Sequence, residues 1–132
     1  MESAQELLDK LEADGVRMSL LSKTFHEGRR EEIEALGIAN YFDAIIVTFE
    51  DKQKAHFDKL LAAMNTAPSK TAVIGDRVKS EIALGNQMGM RTIWFRQGKF
   101  RDELPDDPLE EPNDVIFKLS AILESPEKHL DC

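Results

Sequence analysis

Residues 72–76 read Ala72-Val73-Ile74-Gly75-Asp76, and an amphipathic segment begins directly after them at Arg77. A short apolar run of this kind is typical of a parallel strand that is buried on both faces. Open α/β sheets bind ligands and metals outside the carboxyl ends of their strands. The stretch therefore predicts both a parallel sheet and a site at Asp76.

Apolar runs and helical spacing alternate along the chain. We predict strands at 16–21, 44–48, 71–74 and 91–95 and helices at 3–13, 27–36, 52–64 and 77–88. Residues 115–124 have helical spacing, although a short edge strand at 114–117 is also compatible with the sequence. Short loops between alternating elements favour right-handed crossovers and a parallel sheet.

These elements predict an α/β fold with a three-layer, Rossmann-like parallel sheet of four or five strands flanked by helices. At 132 residues, one domain is expected. We place it at residues 1–124, and we expect a frayed tail at 125–132. Trp94 and Phe95 are predicted to be core residues of the fourth strand.

Composition excludes several function classes. The net charge of -8 argues against nucleic-acid binding, which relies on clustered Lys and Arg. No apolar run is long enough to span a membrane, and the polar N-terminus does not resemble a secretory signal. A single cysteine, Cys132, fits a reducing compartment, so we expect a cytoplasmic protein. The acidic stretch 102–114, which holds three prolines, is predicted to be a solvated loop.

Two acidic residues are candidate magnesium ligands. Asp76 at a strand end suits a magnesium ion, but Asp is also a favoured N-cap residue for the helix that follows. Glu81 lies five residues later and is placed to hold Asp76 or a metal-bound water, or is an ordinary surface glutamate. The spacing leaves both pairs of alternatives open.

Two further residues are candidate phosphate ligands. Ser22 ends the first apolar run, where its hydroxyl either binds a phosphate oxygen or caps the next segment. Lys52 stands at a predicted helix start, which disfavours cations and so hints at an anionic partner, or it belongs to a solvated face. The three histidines show no metal-ligand spacing and are assigned no role.

Ser22 after a strand, Lys52 before a helix, and Gly75-Asp76 with Glu81 after another strand resemble motifs II, III and IV of the haloacid dehalogenase (HAD) superfamily, in that order. Segment 36–43 resembles the family's sequence before motif III, and segment 89–94 resembles the strand after motif IV. The resemblance covers residues 7–123. It implies catalytic roles for Ser22 and Lys52, phosphate binding by Ser22, Lys23 and Lys52, and magnesium binding by Asp76 and Glu81. Lys23 stands where the family often has Asn, Glu81 replaces a usual Asp, and Lys54 is a second candidate for the motif III lysine.

Motif I of that family is an Asp-x-Asp that supplies the nucleophile and the general acid, and these 132 residues contain none. We therefore expect the C-terminal part of a HAD-like core, truncated or degenerate, with a weak or incomplete Mg²⁺ site and no activity alone. Its ligand would be a phosphorylated small molecule or inorganic phosphate. The family's motif I strand lies between the strands ending at Ser22 and Asp76. Without it, we expect those two strands to pair directly, in the order 2-1-3-4.

Two other functions fit the same residues. The chain is alternatively a non-catalytic regulatory or scaffold module, or a subunit to which another chain supplies motif I. In either case, exposed strand edges would bind a partner chain or form a homodimer.

Overall fold

The computed structural model describes the backbone of residues 2–124 and the side chains of residues 4–123. In that part of the chain helices and parallel strands alternate, which confirms the predicted α/β fold. The elements are α1 Glu2–Ala13, β1 Ser19–Lys23, α2 Arg29–Ala35, β2 Ala44–Thr48, α3 Lys54–Met64, β3 Ala72–Gly75, α4 Ala83–Gln87, β4 Arg91–Phe95, β5 Asp114–Ile116 and α5 Ser120–Glu124. Internal contacts group them into two units, Met1–Asn65 and Thr66–Cys132.

The first unit is built on the parallel pair β1 and β2. Their register runs from Ser19 opposite Ala44 to Lys23 opposite Thr48, and the N–H of Thr24 extends the ladder by donating to the carbonyl of Thr48 at 3.0 Å. Helix α3 contacts both strands. The buried apolar side chains of this unit are Leu7, Leu11, Met18, Ile33, Phe57, Leu60, Leu61 and Met64.

The second unit is built on three parallel strands in the order β3-β4-β5. Strand β5 confirms the edge-strand alternative for this segment, since its Asp114 pairs with Ile93 of β4. Trp94 is buried against Val78 and Ile82, as expected of a core residue on the fourth strand, whereas Phe95 is only half-buried.

The expectation that the strands ending at Ser22 and Asp76 pair directly is wrong. Among the described residues, β1 forms a ladder only with β2 and β3 only with β4. Consecutive strands joined by one helical crossover usually become neighbours. The crossovers through α2 and α4 accordingly place β1 beside β2 and β3 beside β4, two pairs that the predicted order also contains. The pairing of β1 with β3 that would complete the order 2-1-3-4 is not among the ladders of the described residues.

The first strand also starts later than predicted. The N–H of Val16 donates to the carbonyl of Leu11 and belongs to the turn that ends α1, so Val16 is exposed instead of lying in the sheet. The ladder begins only at Ser19. No helix among residues 2–124 is long and apolar enough to cross a membrane. The predicted tail 125–132, including Cys132, lies outside the described residues.

Most residues of the acidic stretch are exposed, as predicted for a solvated loop, but some of its carboxylates also form ion pairs with the protein. Glu103 pairs with Arg77 at 3.1 Å and accepts from the N–H of Lys79 at 3.1 Å. The ammonium of Lys79 also pairs with Asp106 and with Glu110. Basic residues directly after β3 attract these carboxylates, a partnership that the local composition of the loop does not reveal.

Candidate functional site

Ser22 lies at the carboxyl end of β1, half-buried, and its hydroxyl oxygen accepts a hydrogen bond from Nη1 of Arg29 at 2.8 Å. Arg29 is the first residue of α2, which begins after Gly28 in a left-handed conformation with φ 97°. The cap role considered for Ser22 is not seen, because the N-cap of α2 is Gly28 and no side chain caps it. The hydroxyl of the nearby Thr24 accepts from the N–H of His26 at 3.3 Å in the turn after β1. Ser22 is therefore linked to a cation and not to the backbone of the next segment.

Lys23 lies beside Ser22 in the sequence, but its ammonium group already has an acidic partner. It forms an ion pair with Asp51 and lies 5.1 Å from the centroid of the Phe25 ring. The Asp51 carboxylate offsets part of the positive charge that a phosphate would meet at Lys23.

Lys52 lies in the connection between β2 and α3 and is half-buried. Helix α3 begins at Lys54, two residues later than predicted, because the ring of His56 accepts from the N–H of Gln53 and defines the helix start there. His56, to which the sequence assigned no role, is thus a capping residue. Lys54 pairs with Asp58 at 2.9 Å, one helical turn along.

Asp76 follows β3 directly and is half-buried. Its main-chain carbonyl accepts from Nε1 of Trp94 at 3.1 Å, so the buried indole fixes the backbone at the strand end. The alternative that Asp76 caps the next helix is wrong, because Arg77 occupies the N-cap position.

Glu81 is not a surface residue, since only 4% of it is exposed. Its side chain turns back to the strand end, where Oε1 accepts from the N–H of Arg77 at 3.0 Å. The helix predicted at 77–88 accordingly starts as a π-helical turn, Val78–Ile82, before α4. The side chain also covers Gly75, where an added Cβ would lie 2.1 Å from Cγ of Glu81.

Asp76 and Glu81 are the two acidic residues for which magnesium binding was predicted. Magnesium takes one or two carboxylates together with waters and substrate phosphate oxygens. Glu81 already uses Oε1 for the N–H of Arg77. Within the described residues, no three His, Cys, Asp or Glu side chains gather as a metal-binding group. Magnesium binding by Asp76 and Glu81 stays a prediction.

Ser22, Lys23 and Asp76 stand at or directly after the carboxyl end of a parallel strand. Lys52 lies in the connection after β2, and Glu81 lies in the turn after β3, from which its side chain reaches back to the strand end. Ser22, Lys23 and Lys52 belong to the first unit, and Asp76 and Glu81 belong to the second. The joining of these two groups in one pocket stays a prediction.

Sequence reasoning missed two contributors to these strand ends. Arg29 binds the Ser22 hydroxyl, and Glu103 ties Arg77 to the backbone of Lys79. For Arg29, the available sequence signal was the Gly28-Arg29 pair shortly after a strand end. No local signal separates Glu103 from the other acids of its loop.

A family model described as HAD-hydrolase-like matches residues 51–122 of the chain. The chain belongs to this family. The resemblance to the HAD superfamily is thereby confirmed, and the curated proteins to which the chain is similar include phosphatases.

Three individual proteins show how far the HAD similarity extends. The glyceraldehyde 3-phosphate phosphatase of Pyrococcus furiosus is 30% identical over 129 residues, which is 95% of this chain and 53% of that protein. The crystal structure of an uncharacterized protein from Listeria monocytogenes superposes with a TM-score of 0.78 at 25% identity, covering 100% of this chain and 82% of that one. A HAD phosphatase from Thermococcus onnurineus superposes with a TM-score of 0.75 at 17% identity, covering 94% and 56%. The chain spans about half the length of the curated relatives that it matches.

Proposed function

We propose that this chain is the phosphate-binding part of a HAD-like phosphohydrolase that acts on a small phosphorylated molecule. The observation that carries the proposal is the similarity along 95% of the chain to a phosphatase of a three-carbon sugar phosphate. The position of Ser22 at the carboxyl end of a parallel strand supports it, because ligands of open α/β sheets bind at that edge.

In this proposal, the Ser22 hydroxyl donates a hydrogen bond to a phosphate oxygen, while Lys52 and Lys23 offset negative charge. None of these groups is a carboxylate that can attack phosphorus. Covalent catalysis on the family's pattern needs such a carboxylate, and no Asp-x-Asp occurs in these 132 residues. We therefore expect the chain by itself to bind phosphate without turning over phosphate esters.

The strand edges favour another segment as the source of the carboxylates that these 132 residues do not contain. Among the described residues, β1 and β3 each have a ladder on one side only. An unpaired edge presents backbone donors and acceptors that an added strand can satisfy. A second segment bearing Asp-x-Asp would thus gain main-chain hydrogen bonds as it brings its acids to the site. The same edges favour the second candidate function, a non-catalytic module that binds a partner chain.

Calorimetric titration with inorganic phosphate, together with a p-nitrophenyl phosphate assay in magnesium buffer, tests the proposal. The wild-type chain should bind phosphate with no turnover above background, and Ser22→Ala should weaken binding about tenfold or more, the loss expected for one hydrogen bond to a charged ligand. Ser69→Ala, in an exposed turn, is the matched control and should bind as wild type does.

Two results would contradict the proposal. One is steady turnover by the purified chain alone. The other is a phosphate affinity that is the same in both serine variants. Concentration-dependent dimerisation without phosphate binding would favour the non-catalytic module instead.

A further inference from the structure

The Ser22 hydroxyl has an arginine donor that no family motif in the sequence anticipates. Nη1 of Arg29 lies 2.8 Å from the hydroxyl oxygen, within the range of a strong N–H to oxygen hydrogen bond. Seven residues separate the two in sequence, and the left-handed Gly28 precedes Arg29 where α2 begins. The contact therefore joins the end of β1 to the start of α2.

This contact determines what the hydroxyl proton can do. A serine hydroxyl carries one proton and two lone pairs, and a guanidinium group has donors only. Arg29 thus occupies a lone pair of Ser22 and leaves the proton to be donated elsewhere. Among residues 4–123, no acceptor for that proton is found. The hydroxyl is set up as a donor to an incoming acceptor, and phosphate oxygens are strong acceptors.

The positive charge of Arg29 is only loosely compensated. Its nearest carboxylate is Glu32, with Nε to Oε1 at 3.8 Å, beyond hydrogen-bond distance, and Glu32 is more than half exposed. That same oxygen lies 3.6 Å from Nε2 of His26. By contrast, Lys54 has a carboxylate at 2.9 Å. One third of the Arg29 side chain is exposed, so solvent reaches the guanidinium.

We propose that Arg29 is an anion-binding and positioning residue of the Ser22 site: it directs the hydroxyl proton toward a phosphate oxygen and binds the same anion with its remaining N–H groups. The planar guanidinium suits this double role, because its donors form a fixed fork that matches phosphate geometry. The inference rests on the proposed function and adds to it a second residue that binds the same anion.

The test is a titration of inorganic phosphate into wild type, Arg29→Gln, Arg29→Lys and the matched control Arg30→Gln, at two salt concentrations. Arg30 is the next residue of the same helix, and its guanidinium donates to the carbonyl of Ile45 instead. Arg29→Gln should weaken phosphate binding about tenfold to a hundredfold, as expected for a charged hydrogen-bond partner. Arg29→Gln should also reduce the dependence of the phosphate affinity on salt concentration. Arg29→Lys should recover part of the affinity, and Arg30→Gln should leave it within about twofold.

A purely structural link would behave differently. If Arg29 only ties α2 to β1, Arg29→Gln would lower the melting temperature without changing the salt dependence of binding, and the inference would be overturned. A double variant with Ser22→Ala checks the coupling, since loss of the hydroxyl should reduce the cost of Arg29→Gln. Additive losses would contradict the shared site.

The inference and the proposed function fail in different ways. If wild type binds phosphate and Ser22→Ala weakens it while Arg29→Gln does not, only the role of Arg29 is refuted. If wild type does not bind phosphate at all, the proposed function fails, and the role of Arg29 fails with it.

Discussion

Substituting Gly75 by alanine tests how the end of β3 is held in place. A Cβ at this position would lie 2.1 Å from Cγ, 2.7 Å from Cδ and 2.8 Å from Oε1 of Glu81. These distances leave no room for a methyl group, so the Glu81 side chain would have to leave. Its carboxylate would then no longer accept from the N–H of Arg77.

The expected cost has two parts. Overpacking of a filled site costs about 1–3 kcal/mol, and loss of the acceptor for a part-buried N–H adds about 1–3 kcal/mol. Alanine also lowers the conformational entropy of the unfolded chain relative to glycine, which stabilises the folded state by about 0.4–1 kcal/mol. We expect Gly75→Ala to lower the free energy of unfolding by about 2–4 kcal/mol.

Urea denaturation followed by the fluorescence of Trp94, the chain's single tryptophan, measures this cost in the second unit. A double-mutant cycle isolates the clash, because Gly75→Ala should cost almost nothing once Glu81→Ala has emptied the space. The matched control is Gly85→Ala, whose Cβ would lie 2.8 Å from Cγ2 of Thr92 and which should cost the same in both backgrounds. A loss below about 0.5 kcal/mol, or an equal loss with and without Glu81, would refute the reasoning.

Three further predictions concern the second unit, and urea denaturation measures each of them. Thr92→Val should destabilise by about 1–3 kcal/mol, because the fully buried hydroxyl donates to Oδ1 of Asn86 at 2.8 Å and accepts from the N–H of Asn113 at 3.1 Å. An unchanged free energy of unfolding would contradict this. Glu103→Ala should lower the free energy of unfolding by about 1–2 kcal/mol, because the hydrogen bonds to Arg77 and to the Lys79 backbone are lost. Glu103→Gln should have a stability between those of wild type and Glu103→Ala. The hydrogen bond with Asp106 raises the pKa of Lys79 above its usual value. The folded state therefore holds this proton more tightly, so the stabilisation is complete below the ordinary lysine pKa and is lost as pH rises through the raised pKa. Lys79→Met should flatten that alkaline decline, and an unchanged slope would argue against the ion pair.

The family, the parallel α/β pattern and the strand-end positions of the polar residues were predictable from sequence. The bounds of β2 and β4 agree with prediction residue for residue, because apolar and β-branched runs flanked by helical segments form strands wherever they are covered. Local patterns of this kind depend on neighbours in sequence, so the sequence by itself determined them.

Partners distant in sequence were decided only by the tertiary structure. The sequence left open whether Glu81 turns back to the strand end, and only the structure shows its side chain covering Gly75. The sequence did not reveal that Arg29 binds Ser22 or that the acidic loop pairs with the basic residues after β3. The direct pairing expected for β1 and β3 also failed, because it joins strands that are far apart in the chain and no local pattern specifies such a pairing. Hydrogen bonds and ion pairs depend on distances and directions in space, and spacing along the chain does not specify them.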